Sequence, residues 1–180
     1  MKQELFQEIE IPEKVEVKQE GNLLKVKGPE GENVRKFNFR DLEFSIIGKK
    51  IKIGTKKATK KEKKRINSTK AHITNMIQGA EKKYEYKLKL CFVHFPSTVE
   101  VKGTEVVIKN FLGEKVSRKA KIPEGAEIKI EKDIITVRSS DKEIAGQAAA
   151  NLEIATKIRK RDRRVFQDGI FITSKCGVEI

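Results

Sequence analysis

Two cysteines and two histidines are all that the 180 residues supply in thiol and imidazole groups. Cys91 and Cys176 lie far apart with no partner spacing, so no disulfide framework is implied and a reducing cytoplasm fits. Cys91 and His94 have a C-x-x-H spacing, and His72 with Cys176 would complete four ligands. His72 falls in a helical pattern and His94 beside a strand, so the spacing is what chance supplies and no metal is expected. Glycine-rich phosphate loops are missing: VKGPEGE and NFLGEK have too few glycines at the wrong spacing. No nucleophile has an attendant base. No apolar run approaches the roughly 18 residues that span a bilayer. The start, MKQELFQEIEIP, lacks the apolar core of a signal peptide, so the protein is expected to stay where it is made. These absences argue against an enzyme and predict no catalytic residue, cofactor, small-molecule substrate or membrane partner.

What is present in excess is positive charge. Lysine and arginine number 40 against 26 acids, a formal net of +14. Its placement matters more than its size. From Lys49 to Arg65 there are ten basic residues and one acid, Glu62; from Lys157 to Arg164 there are six and one acid, Asp162. The remaining residues hold 24 of each sign and cancel. A basic run is often just a solvated loop. Two concentrated loci on a neutral scaffold instead resemble docking sites for a polyanion.

The chain also repeats itself. IEIPEKVEVK (9–18) matches VHFPSTVEVK (93–102) at an offset of 84, and LEFSIIGKKIKI (42–53) matches AEIKIEKDIITV (126–137) at the same offset. Gly31-Glu32 matches Gly113-Glu114 at 82. Ordered matches at nearly one offset indicate duplication. Each copy alternates apolar and polar residues, as half-buried strands do. The inward series includes Val15 and Val17, Leu24 and Val26, Phe37 and Phe39, then Ile51 and Ile53; the second copy offers Val106 and Ile108, then Ile135 and Val137. Turn residues such as Gly28-Pro29, Gly48 and Gly103 separate short runs, which predicts hairpins. One helix follows in each copy. The first spans about 60–80, with Ile66, Ile73, Ile77 and Ala80 on one face. The second opens at Ser140 with the Ser-x-x-Glu form of a capping box and carries Ile144, Ala148, Leu152, Ala155 and Ile158 inward. KYEYKLKLCFV (83–93) reads as a strand leading into the second copy. The expected fold is α+β: a tandem duplication of a small domain, mostly antiparallel sheets with one helix around a single core, divided as 1–82 and 83–180.

The most informative stretch is KIRKRDRRVFQDGIFITSK, residues 157–175. Its first part is expected to extend the second helix, whose dipole accounts for one or two cations but not for this many. Arginine presents a planar fork that matches phosphate oxygens in pairs. Phe166 can stack on a base, although burial statistics favour a core anchor. Asp168-Gly169 signals a turn before a last strand, Ile170–Ile172. The run KKIKIGTKKATKKEKKR (49–65) reads as a loop between strand and helix, mobile over Thr55–Lys60 and suited to diffuse phosphate attraction.

Together these residues resemble the universal large-subunit ribosomal protein L-six (L6) family, in its archaeal and eukaryotic branch. The resemblance covers about residues 8–175 and rests on IPEKVEV, VKGPEGE (26–32), NMIQG (75–79), HFP (94–96), NFLGEK (110–115) and above all RRVFQDGIFITSK (163–175). Ile154 departs from it, standing where Gln is expected. The resemblance implies a structural protein of the large ribosomal subunit in the cytoplasm. It would bind ribosomal RNA near the sarcin–ricin loop and the base of the lateral stalk, beside neighbouring ribosomal proteins. The second domain would make most RNA contacts, through Arg159, Lys160, Arg161, Arg163, Arg164 and Lys175. Lys56, Lys57, Lys60, Lys61, Lys63, Lys64 and Arg65 form a secondary basic run. A non-ribosomal RNA-binding or RNA-processing module would show the same charge and repeat. An enzyme acting on RNA would need a positioned acid and base or a metal, which two histidines do not suggest.

Overall fold

Alternation along Lys50–Ala58 buries Ile51 and Ile53 while Lys50 faces solvent, the period of two of a half-buried strand. The computed structural model describes residues 3–39 and 42–180. It falls into two units, Met1–Lys83 and Tyr84–Ile180.

The first unit begins with β1 (Gln3–Glu10), β2 (Glu16–Glu20), β3 (Leu23–Gly28) and β4 (Gly31–Lys36). It continues with β5 (Glu43–Ile47), β6 (Lys50–Ala58) and α1 (Lys60–Glu81). One sheet has the order β1-β6-β5 and the other β2-β3-β4. The amphipathic α1 packs against β1, β3, β4 and β6, so one helix closes the core over both sheets. Leu24, Val26, Ile51, Ile73, Ile77 and Ala80 meet there. Phe37 and Phe39, expected on a strand, reach the core from the irregular connection after β4.

The second unit repeats that order with β7 (Tyr84–Cys91), β8 (Thr98–Lys102), β9 (Glu105–Lys109) and β10 (Arg118–Lys121). Then come β11 (Glu127–Glu131), β12 (Ile134–Ser139) and α2 (Lys142–Ala155). After the helix it adds β13 (Gly169–Lys175) and β14 (Val178–Glu179). Its small sheet is β10-β9-β8, and its large one is β11-β12-β7-β13-β14. Strands β11-β12-β7 therefore repeat β5-β6-β1, and β13-β14 extend the sheet on the side of β7. All the pairings are antiparallel. Helix α2 packs on β7, β10 and β12, the counterparts of β1, β4 and β6, and also on the added strand β13. The fold is the expected α+β duplication. The segment expected to lead into the second copy is that copy's first strand and lies at the centre of its sheet.

Three local expectations are corrected. Asp141, not Ser140, is the N-cap of α2: its side chain accepts from the Glu143 N–H, while the Asp141 N–H donates to Ser139 Oγ at 3.2 Å. Helix α2 stops at Ala155 and does not carry the basic segment or Ile158. The lysine-rich run is not a loop: Thr55–Ala58 belong to β6, where Leu5 pairs with Thr55 and Gln3 with Ala58 across a bulge. Helix α1 follows at once, held by a capping box between Thr59 and Glu62. Among the described residues no helix is long and apolar enough to cross a membrane.

The end of α1 shows why VKGPEGE takes its form. The last carbonyls of a helix need outside donors. The β3–β4 hairpin brings them: the Glu30 N–H donates to the Ala80 carbonyl at 3.1 Å, and Asn33 Nδ2 to that of Met76 at 3.4 Å. Such an approach requires Gly28, because a Cβ there would lie 2.4 Å from the Ala80 oxygen. Gly28→Ala is expected to cost on the order of 3 kcal/mol through this overlap with backbone. Gly21→Ala, at a turn with φ +62° and open space around it, should cost about 1 kcal/mol. Thermal denaturation of the two variants checks the ranking.

Candidate nucleic-acid interface

The basic segment starts where α2 ends, and that end is tied down from outside. Arg118 Nη1 donates to the carbonyls of Ala155 (3.0 Å) and Lys157 (3.2 Å). Its Nε and Nη2 donate to the two oxygens of Glu114 at 2.8 and 2.6 Å, and its guanidinium lies 4.3 Å from the centre of the Phe111 ring. The hydrogen bond from Arg118 holds the Glu114 carboxyl below the usual range. Thr156 is buried; its hydroxyl donates to the Glu153 carbonyl at 3.2 Å and accepts the Ile170 N–H at 2.9 Å. One residue thus joins the helix end to the start of β13.

The far end of the segment is fixed by Asp168, only 2% exposed. Its Oδ1 accepts the N–H groups of Val93 (2.8 Å) and His94 (3.1 Å), and its Oδ2 accepts from His94 Nδ1 at 2.7 Å. Burial pushes this carboxyl up, but the bonds from Val93 and His94 outweigh it, and the group ends below its ordinary value.

Between these anchors, residues 157–167 form a self-bonded loop. The Asp162 carbonyl accepts from the N–H groups of Val165 and Phe166 at 3.2 and 2.9 Å. The Asp162 carboxylate accepts the Arg164 N–H at 2.9 Å and pairs with the Arg164 guanidinium at 3.1 Å. Gln167 Nε2 donates to the Arg164 carbonyl. Phe166 is neither a core anchor nor a bare platform. It is half-buried, stacked 4.8 Å from the His94 ring at 20°, and Arg161 lies 4.8 Å from its centre.

Arg159, Lys160, Arg161, Arg163 and Arg164 are all exposed on this loop. Arg161 is oriented by Phe166, and Arg164 shares its charge with Asp162. Among the described residues, Arg159, Lys160 and Arg163 have no side-chain hydrogen bond or ion pair. Such a loop presents unneutralised cations on a backbone fixed at both ends, which suits phosphate oxygens. Lys175 is not part of this group: it is exposed at the other end of β13, about 20 Å along the strand from Gly169.

The secondary run divides as well. Lys56 and Lys57 are exposed at the end of β6, and Lys60, Lys61, Lys63 and Lys64 on the opening turns of α1. Cations at a helix N-terminus oppose the dipole, and only Glu62 favours it, so these lysines are not there for helix stability. Arg65 is half-buried and donates to the Asn38 carbonyl at 2.9 Å, a structural duty. Sequence reasoning missed the Thr59-x-x-Glu62 box, although its signature is local. It also missed Arg118 and the His94–Asp168 pair, whose partners are remote. His94 Nδ1 is occupied by that carboxylate, and no group of three or more His, Cys, Asp or Glu among the described residues is arranged to hold a metal.

The model of the ribosomal protein L6 family matches residues 11–83 and again 95–169. The two matches start 84 residues apart, the offset of the internal repeat. The chain is similar to large ribosomal subunit protein uL6 of Methanobrevibacter smithii, 47% identical over 169 residues that cover 94% of this chain and 95% of that protein. It is 44% identical to the uL6 of Saccharolobus solfataricus over 97% of each chain. With that of Archaeoglobus fulgidus the identity is 43%, covering 96% of this chain and 91% of the relative.

Asp168 gives a pH prediction. A carboxyl held below its unfolded value, about 3.9, adds stability that is fully present above that value. The contribution is lost as pH falls through the folded value, so acid should weaken the second unit. Asp168→Asn is expected to lose about 2 kcal/mol at pH 7, because the His94 and backbone donors are left without a charged acceptor. The difference between parent and variant should shrink toward pH 3. Denaturation followed by circular dichroism at the two pH values reads both effects.

Proposed function

Because the chain belongs to the ribosomal protein L6 family, we propose that it is a structural, non-catalytic constituent of the large ribosomal subunit in the cytoplasm. It binds large-subunit ribosomal RNA near the sarcin–ricin loop and the base of the lateral stalk, beside neighbouring ribosomal proteins. The observation that carries this reading is the loop of residues 157–167. Arg159, Lys160 and Arg163 leave their charge unpaired there while Arg118, Thr156 and Asp168 hold the ends. A loop whose ends are held before binding loses less backbone freedom when its cations meet phosphate.

The second unit, Tyr84–Ile180, is the main RNA-binding half on this reading, with Arg161 and Arg164 as further contacts and Lys175 as a separate one. Lys56, Lys57, Lys60, Lys61, Lys63 and Lys64 supply a second, more diffuse attraction from the first unit. Recognition rests chiefly on the shape of folded RNA. The names of the archaeal relatives favour this over a non-ribosomal RNA-binding module. Co-sedimentation with large subunits at moderate salt separates the two.

Replacing Arg159, Arg161, Arg163 and Arg164 with Gln is expected to weaken binding to large-subunit RNA at least tenfold more than replacing Lys57, Lys60, Lys61 and Lys63. Lys57 lies in β6 and Lys60, Lys61 and Lys63 in α1, and the expected difference lies in the paired donors of arginine. Each phosphate left without its cation should reduce the salt slope by roughly 0.7–0.9. Affinities at several salt concentrations, with circular dichroism as the folding control, measure this. Equal weakening by the two variants would reduce the effect to net charge and remove the loop's claim to be a site.

A further inference from the structure

Next to the arginine loop, the second unit has an open groove of about 730 Å³. Ile154 projects into it from α2 at 60% exposure, Val93 follows β7 at 74%, and Phe171 stands on β13 at 37%. A single exposed apolar side chain is ordinary, but here three line one concavity. Lys157 and Arg163 stand on the rim with Glu153 as the opposing charge, and Gln167 brings an amide. An occupant with an apolar face and a negative charge attached to it matches this lining.

A nucleotide has that form, with a flat base that stacks on apolar side chains and a phosphate for Arg163. The groove is the size of a small-ligand cleft and admits one nucleotide, not a length of duplex. Paired bases hide their faces inside the helix, so only a bulged, looped or terminal nucleotide can enter. We propose that the groove between Ile154, Val93 and Phe171 receives one unpaired nucleotide of the bound RNA, with its phosphate at Arg163. This rests on the reading of residues 157–167 as an RNA site and deepens it. The loop supplies attraction for any phosphate backbone, and the groove selects RNA that offers a free base.

The test uses the full chain and two RNA hairpins with the same stem, one fully paired and one with a single bulged 2-aminopurine. The parent protein is expected to bind the bulged hairpin about tenfold tighter and to change its fluorescence. In the variant Val93→Ser with Ile154→Ser, two largely exposed and neutral replacements, that preference should vanish while affinity for the paired hairpin holds. Arg159→Gln with Arg163→Gln should weaken binding to both hairpins. Equal affinity of the parent for the two hairpins overturns the groove proposal, and the loop reading survives if the arginine variant still weakens both. An undiminished preference in the serine variant also overturns it, and leaves the groove to a segment of a neighbouring protein. If the arginine variant weakens neither hairpin, the loop reading falls and the groove proposal with it.

Discussion

A carboxylate can be buried only if its oxygens are given donors, and Asp168 meets that condition with groups from a single place, the exit of β7. This one requirement fixes where β13 begins relative to β7, and so where the segment before it must return to the sheet. With Arg118 holding the end of α2 and Thr156 reaching across to Ile170, the intervening loop has its departure and its return set by the fold. Its backbone then carries the cations between two held ends, with Arg161 over Phe166 and Arg164 paired with Asp162. His94 serves twice, as donor to Asp168 and as the ring under which Phe166 stacks, so Arg161 is positioned through a chain that begins at the buried acid.

The two copies differ where the function is proposed. Both need donors for the end of their helix, and both take them from the second hairpin of the small sheet. In the first unit backbone and Asn33 suffice, and the chain passes from α1 into β7 with little excursion. In the second an arginine does the work, and the chain wanders through residues 157–168 before adding β13 and β14. Among the described residues the first unit has no counterpart of β13, so β1 stays at the edge while its equivalent, β7, lies inside the sheet. The duplicated units share the scaffold, and the proposed site lies in the longer connection that follows one of the two helices.

What the sequence made legible was local or repeated. Alternation at Ile51 and Ile53 and again at Ile135 and Val137 reports strands because neighbours two apart share a face. The extent of α1 and both basic loci were readable for the same reason. The end of α2 was not, since apolar spacing continues to Ile158 and the stop comes from Arg118, 37 residues away from Ala155. The charged run at Lys56 and Lys57 looked like loop because its strand partner is β1, at the other end of the unit. His94 gave no sign of its role, because the carboxylate it meets is 74 residues downstream. The cap of α2 falls one residue past the expected Ser140, at Asp141, whose own N–H is taken by Ser139 Oγ.

The central position of β7 also imposes an order in time. As the chain is synthesised, the first unit has all its strands and its helix once Lys83 has emerged. β7 appears next, yet one of its edges waits for β13, about 80 residues later, and the N–H groups of Val93 and His94 wait with it for Asp168. Contacts so distant in sequence form late. The arginines leave the tunnel before the strand that fixes their loop, so a nascent chain carries its positive charge as a pliable tether and acquires a shaped surface only as synthesis nears its close.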